Sequence, residues 1–578
     1  MSYRIVLIVF LFFLIYSGLK GQNGYLSSWS SSDSIMIDVN RFHLPLTNNG
    51  ILANTPSVGQ SIPGGFYDGK IILFDGGFFL TGKSNGKYWS NAEASQCRVM
   101  DYIPGKAGSS PDDPKNKIYV IRSTDPPFGP SWQNWENAVS QGAAFYDGNH
   151  DGVYNPVDLN GNGKWDPNED RPDLLGDMTA WCVYNDGLPD SLRVFNNVSP
   201  QGIEIQQTVF AQKDSAELDN VIFIKYRIIN RGTVTNVLDS VYFGSSNDAD
   251  IGASGSDDLV GCDTILNSGY TYHHLFGSLD TKWGNNPPAE LVTLLQGPPT
   301  YIAGITFTDI NNNGVYDSEI DSPIDSAYNF NGPLLGKIIF PGALNLKPTS
   351  FVHYYGGSSP NNLLEGQNLL YGKEQYGSYI DPCSYSQGQV LGGFDCTKVN
   401  PLFMYSGNPI TQTGWINVIP MDQQLILSTG PFKLEKNKPV DIIVAYIIGR
   451  GTDYLNSITV VKDYAGNIIK YYNSNFPNSI ISGVNESQQK NIDFRVYQNY
   501  PNPFNPSTAI KFSLPKAMHV SLSIYNPLGE EVSKLISKDM NAGVYTTEWN
   551  ASGFASGVYY YRIVAGDFVQ TKKLILLK

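Results

Sequence analysis

The chain is predicted to be mainly β: a multidomain β-sandwich assembly with few short helices and a C-terminal Ig-like β-sandwich. Three observations predict it. Of 578 residues, 57 are Gly and 35 Pro while only 16% are charged, so Lys and Glu, strong helix formers, are scarce. Aromatic residues reach 13%, with 36 Tyr, a side chain that suits a pleated surface. The apolar residues fall in short alternating or continuous runs bounded by Gly, Asn or Pro, the pattern of strands between turns. A hydrophobic content of 41% supplies ample core and excludes a disordered chain. At roughly 100–200 residues per domain the length accommodates several cores. Lys plus Arg number 39 against 53 Asp plus Glu, a net charge of −14 with no basic patch, so no nucleic-acid partner is expected.

Taken in order, residues 1–21 have the layout of a secretory signal peptide: Arg4, the apolar run Ile5–Tyr16, then small Ser17, Gly18 and Gly21. The run is shorter than the 18 or so residues of a membrane span, so no membrane span is expected in the mature chain. Residues 22–199 read as an N-terminal β-rich region and 200–480 as a central β-sandwich region. The clearest strands are Ile203–Ala211, Val221–Ile229, Val237–Phe243, Tyr301–Phe307, Lys337–Phe340 and Val440–Ile448. Helices are expected over Trp132–Ser140 and over Leu455–Tyr472, where Leu455, Ile458, Val461, Ala465 and Ile469 recur every three to four residues. Polar residues 481–495 read as a linker. Residues 496–578 hold six short runs, Thr508–Leu514, Val520–Tyr525, Val532–Ile536, Val544–Trp549, Val558–Val564 and Val569–Leu577, spaced as in a small β-sandwich.

The last segment also carries specific motifs: Asn499 to Pro506 (NYPNPFNP), the turn Ile524 to Gly529 (IYNPLG), Ala542 to Tyr545 (AGVY) with Trp549, Ser556 to Tyr559 (SGVY), and Lys572–Lys573. In this it resembles the type A C-terminal sorting domain of the type IX secretion system of Bacteroidetes. The resemblance implies that residues 496–578 engage the type IX machinery. It further implies passage through the periplasm and arrival at the outer-membrane cell surface or in the medium. The stretches Ser428–Phe432 and Asp177–Asp190 are similar to uncharacterised bodies that carry this domain, which implies no activity.

The body holds a candidate calcium constellation. Asp147, Asn149 and Asp151 stand at loop positions 1, 3 and 5, Gly152 at 6 and Asp158 at 12. Asp158, Asn160, Asn162, Gly163, Asp166 and Glu169 repeat the spacing at positions 1, 3, 5, 6, 9 and 12. Calcium takes six to eight hard oxygen ligands, and alternate residues of a tight loop point inward while Gly makes the turn. Val153 and Lys164 are expected to supply the position 7 carbonyls, and Asp158 is expected to serve both loops. Pro156, Pro167 and Pro172 forbid the flanking helices of an EF-hand. The pair resembles the packed calcium loops of thrombospondin type 3 repeats and dockerins, which implies a structural calcium cofactor.

A third loop, Asp309, Asn311, Asn313, Gly314 and Asp317, fits except at position 12, where Ile320 stands between the carboxylates of Glu319 and Asp321. A fourth group, Asp248, Asp250, Asp257, Asp258 and Asp263, crowds carboxylates that repel unless a cation or protons neutralise them.

No catalytic motif surfaces. The 6 His show no zinc-binding helical spacing, and there is no nucleophile elbow or phosphate loop. Of the 5 Cys, Cys383 with Cys396 and Cys182 with Cys262 are candidate disulfides, leaving Cys97 over. The expected function is therefore a non-enzymatic adhesion, matrix or binding protein that contacts surface glycans or matrix. The competing reading is a secreted glycoside hydrolase or other hydrolase using a carboxylate pair, which no sequence motif excludes.

Overall fold

The computed structural model describes residues 33–53, 64–92, 94–95, 98–99, 101–477 and 494–577, apart from 194, 196, 214, 254, 275–279, 356–359, 361, 497, 500–501, 515, 541–542 and 567. The expected signal peptide, Cys97 and nearly all of the linker lie outside them. The chain divides into two units, Met1–Gly483 and Val484–Lys578. Among the described residues no helix is long and apolar enough to cross a membrane.

The body is a sandwich of two antiparallel sheets. The larger has nine strands, eight of them in the order Tyr119–Arg122, Met178–Asn185, Ile203–Ala211, Val221–Asn230, Val440–Gly449, Ala289–Gln296, Ser268–His273, Asp258–Asp263; Ile103–Pro104 pairs with Met178–Asn185 as the ninth. The smaller runs Ser350–Tyr355, Gln423–Glu435, Val237–Asp248, Asp75–Ser84, Lys87–Ala92. Facing side chains interlock between them: Phe78 and Phe243 of the smaller sheet hold Tyr226 of the larger, with ring centroids 4.8 and 5.5 Å away.

Strand Val440–Gly449 shows why its sequence is apolar without alternation. Ile442, Val444, Tyr446 and Ile448 face the sandwich core, while Ile443, Ala445 and Ile447 face helix α3 (Tyr454–Asn473) on the outer side. A strand covered on both faces needs apolar side chains throughout. The helix is capped by Asp453, whose Oδ1 accepts from Asn456 N–H at 2.9 Å, and it buries Ile458, Val461, Ala465, Ile468 and Tyr472. Its partner position on the sheet is Gly449: a Cβ there would stand 2.4 Å from the Val461 nitrogen.

Helix α1 (Pro130–Gln141), with Pro at its start, buries Trp132, Trp135 and Ala138 against the edge strand Tyr119–Arg122 and its neighbour Met178–Asn185. Both expected helices are present within two residues of their bounds, and α2 (Leu363–Leu370) adds one that the pattern did not mark.

The structure revises three expectations. Position 199 falls between Met178–Asn185 and Ile203–Ala211, which pair from Met178–Ala211 to Asn185–Glu204, so the two expected body regions share one sheet. Tyr301–Phe307 is a turn rather than a strand: Thr306 N–H donates to the Ile302 carbonyl at 2.8 Å, and Gly304 takes φ 76°. Cys383 and Cys396 form a disulfide with Cα atoms 5.1 Å apart, whereas Cys182 and Cys262 are buried without bonding each other.

The C-terminal unit is a second sandwich. Arg495–Val496, Ser507–Leu514 and Gly543–Asn550 form one sheet; Glu531–Met540, Met518–Tyr525, Gly557–Ala565 and Phe568–Leu576 form the other. All six expected runs are strands. Trp549 is the hub of the core, 5.5 Å from Phe504, 5.5 Å from Phe554 and 5.4 Å from Tyr559. Asn499 is buried and donates to Thr508 Oγ1 at 2.9 Å, and Asn526 closes the turn with Gly529 at φ 83°. The Asn-Pro-rich stretch and the Asn-Pro-Leu-Gly turn are thus fixed by packing and turn geometry.

Candidate metal centres and the sorting domain

The three Asp/Asn/Gly loops share one backbone shape. Position 4 has positive φ in each (His150 63°, Gly161 73°, Asn312 56°), as does position 6 (Gly152 76°, Gly163 71°, Gly314 73°). The position 1 carboxylate accepts the position 6 amide: Asp147 from Gly152 at 2.9 Å, Asp158 from Gly163 at 2.7 Å, Asp309 from Gly314 at 2.8 Å. Gly163, followed by the Gly161 and Asn162 amides, holds the Asp158 carboxyl below the usual carboxylate range. Asn149, Asn160 and Asn311 accept from the amides of Asp151, Asn162 and Asn313 at 3.0, 3.0 and 3.1 Å. Asp151, Asn162 and Asn313 in turn accept from Val153, Lys164 and Val315, each at 2.7 Å.

Position 8 is aromatic in all three and anchors each loop to the body. Tyr154 is buried and donates to the Trp132 carbonyl at 2.9 Å. Trp165 lies under the Arg171 guanidinium at 4.8 Å, and Tyr316 stacks on Tyr301 at 5.3 Å.

The closing carboxylates depart from the sequence reading. Each loop is tied by one carboxylate that accepts from the amides of positions 2 and 9. Glu169 does this in the second loop, from Leu159 at 2.7 Å and Asp166 at 2.9 Å. In the first loop the same bonds, from Gly148 at 2.9 Å and Asn155 at 2.8 Å, go to Asp170 and not to Asp158. In the third they go to Asp321, from Ile310 at 2.9 Å and Asp317 at 2.8 Å. Asp158 therefore serves one loop: both its oxygens are taken by Gly161, Asn162 and Gly163. Spacing could not identify Asp170, which lies 23 residues beyond Asp147. Asp166 accepts from the side-chain amides of Asn160 and Asn162 at 2.7 and 2.9 Å, so the side chains of the second loop gather on it.

The fourth group divides. Asp263 leaves it, pairing with Lys462 at 3.1 Å. Asp248 and Asp258 are buried, and burial followed by the neighbouring Asp250 pushes both carboxyls well above the carboxylate range. Asp250 is raised by burial and then by Asp422, and Asp257 by burial. Two residues that the sequence reading did not place in this group complete the neighbourhood, His273 and Asp280, both buried. They lie 15 and 22 residues beyond Asp258, and only the pairing of Asp258 with His273 across adjacent strands brings them together.

Residues 498–577 match the secretion system C-terminal sorting domain. That is the type IX sorting domain. It marks the chain as a type IX cargo, exported to the cell surface or medium by interaction with the secretion machinery. No curated protein matches the chain. Among solved structures, a polysaccharide lyase (BACCELL_00875) aligns at 7% identity and TM-score 0.16, covering 65% of this chain and 34% of its own. Latent PorU from Porphyromonas gingivalis aligns at 9% identity and TM-score 0.14, covering 95% of this chain and 32% of its own. The chain spans about a third of the length of either, and likeness at that level carries no argument about the body.

Proposed function

We propose that the sorting domain, an Ig-like tail, delivers the body by way of the periplasm as a calcium-stabilised, non-enzymatic adhesion, matrix or glycan-binding protein. The observation that carries the calcium reading is the threefold recurrence of one loop: Asp at position 1, Asn at 3, Asp or Asn at 5, Gly at 6, and a carboxylate tying positions 2 and 9. Such loops offer hard oxygen ligands at the spacing calcium takes. Asp147, Asn149, Asp151 and Asp170 would serve one ion, Asp158, Asn160, Asn162, Asp166 and Glu169 a second, and Asp309, Asn311, Asn313, Asp317 and Asp321 a third. Carbonyls of Val153, Lys164 and Val315 would complete them. The non-enzymatic reading is supported by where carboxylates converge. Asp248, Asp258 and Glu290 are buried within the sandwich, not set along an open groove as a glycosidase pair must be.

The test is thermal unfolding of the full secreted chain with a chelator, then with calcium or magnesium restored. A ligand bound only by the native state raises the melting point by mass action. Chelation should lower it, and calcium but not magnesium should restore it; an unchanged melting point ends the calcium reading. Removing residues 498–578 should abolish delivery to the surface and medium.

A further inference from the structure

The geometry points to a transition-metal site, of zinc type, formed by Asp257, His273 and Asp280 and separate from the three oxygen-only loops. The three side chains come from different elements. Asp257 ends a single 3-10 turn before strand Asp258–Asp263, His273 ends the adjacent strand Ser268–His273, and Asp280 lies in the loop beyond. One donor atom from each lies within 4.8 Å of the others. His273 Nδ1 is 3.1 Å from Asp257 Oδ1, and His273 Nε2 is 3.8 Å from Asp280 Oδ2.

Two features separate this from an ordinary buried ion pair. His273 is 3% exposed, yet its Nδ1 and the facing Asp257 Oδ1, although 3.1 Å apart, make no well-aligned hydrogen bond. A buried polar atom left without a well-aligned partner is costly, and an ion ligated by both atoms would satisfy them. Metal–ligand bonds of about 2.0–2.2 Å set neighbouring donors roughly 3.3 Å apart, close to the Asp257–His273 separation. An imidazole gives one nitrogen to an ion, so a single site needs the ring and the Asp280 carboxylate to shift until one nitrogen faces both carboxylates; the three donor atoms already lie within 4.8 Å of one another.

The second feature is support and charge. Asp280 is held by the amides of Ala253 at 2.8 Å, Lys282 at 2.8 Å and Trp283 at 2.6 Å, so its carboxylate is oriented before any ion arrives. A Cβ on Gly252 would stand 2.5 Å from His273 Nδ1 and 2.6 Å from Asp257 Oδ1, so the backbone there leaves room for this edge of the ring and nothing larger. The carboxyl groups of Asp250 and Asp258 crowd the same neighbourhood. The nearby ammonium, Lys282, spends its hydrogen bonds on the carbonyls of Asp250 and Gly252, each at 3.0 Å. A divalent cation would relieve that crowding. The imidazole ligand decides the class, since calcium and magnesium prefer oxygen alone whereas zinc takes imidazole with carboxylate. The Asp257 side chain, 18% exposed, leaves a path for the ion and a position for water.

The test uses the untagged full secreted chain, stripped by chelation and then held in excess calcium so that the loops are filled. Zinc is added, the excess is removed, and bound metal is counted by elemental analysis. One zinc per chain should remain and raise the melting point; H273Q and D257N should each lose it, with affinity down tenfold or more. D257N alters a partly exposed side chain, so it decides the matter even if H273Q fails to fold. D158N, in the second loop, should keep its zinc, which separates this site from the calcium reading. Absence of zinc in the parent chain would overturn the assignment, as would zinc retained by both site variants. Displacement of zinc by millimolar calcium would also overturn it, because the site would then be one of oxygen ligands only.

Discussion

Glu169 and Asp170 are neighbours in the chain, yet their carboxylates close two different loops, Glu169 accepting from Leu159 and Asp166 and Asp170 from Gly148 and Asn155. The first loop is thus closed by a residue that follows the second loop in the chain. The two form one unit held against α1 by Tyr154, while Trp165 packs beneath Arg171.

This arrangement separates the effects of single substitutions. On the calcium reading, D170N should weaken the first site and E169Q the second, each by tenfold or more, about 1.4 kcal/mol or above. D158N should weaken the second alone. Titration calorimetry of the full chain with calcium checks this by the number of sites lost. Equal damage to both tandem loops from D158N would restore the shared ligand that the spacing suggested.

Most of the fold was legible because its signals are local. Val440–Gly449 declares itself by a continuous apolar run, α3 by its period, and the tail by alternating runs between Pro and Gly turns. The loops were legible at positions 1 to 6 for the same reason, since Asp, Asn and Gly there act within a few residues. What stayed hidden depends on pairing at a distance. Asp170 reaches a loop begun 23 residues earlier, and His273 meets Asp257 only through strand register. Tyr301–Phe307 looked like a strand by composition, but the Thr306–Ile302 bonds and Gly304 turn the chain first.

Glu290 gives a prediction in pH. It is fully buried, accepts from Asn247 Nδ2 at 2.7 Å, and burial pushes its carboxyl up from 4.5 to about 8. The folded chain therefore keeps a proton that the unfolded chain releases above its ordinary value. Stability contributed by this group falls as pH rises from about 4.5 to about 8 and is level beyond, an upper bound of about 4–5 kcal/mol. E290Q, which keeps the hydrogen-bond acceptor without the charge, should be more stable than the parent near pH 8 and alike near pH 4.5. Urea unfolding at the two pH values reads the difference; parallel curves for both chains would refute it.

The cysteines divide by state. Cys383 and Cys396 enclose a loop of 13 residues' separation, and opening it by paired substitution to Ser should cost about 3 kcal/mol by the chain-entropy argument. Cys262 is buried, which pushes its thiol up and keeps it from the reactive thiolate form. In a C97S background, alkylation of the native chain should therefore leave Cys182 and Cys262 unmodified, and denaturant should expose both. Rapid native labelling of either would show that the sandwich opens readily there.

Two glycines near α3 should respond to alanine with opposite signs. At Gly449 the added methyl meets the Val461 nitrogen at 2.4 Å and its Cα at 2.6 Å, backbone atoms with no flexible end to yield. G449A must lift the helix from the sheet, and overpacking of this kind costs about 1–3 kcal/mol. Gly466 sits inside the same helix with nothing within 4 Å of the site of its missing Cβ. There the substitution removes only the entropy that Gly loses in a helix, a gain of about 0.5–1 kcal/mol. Denaturant midpoints of the two variants measured side by side check the packing of α3 on Val440–Gly449. If G449A is neutral while G466A stabilises, the helix stands farther from the sheet than described.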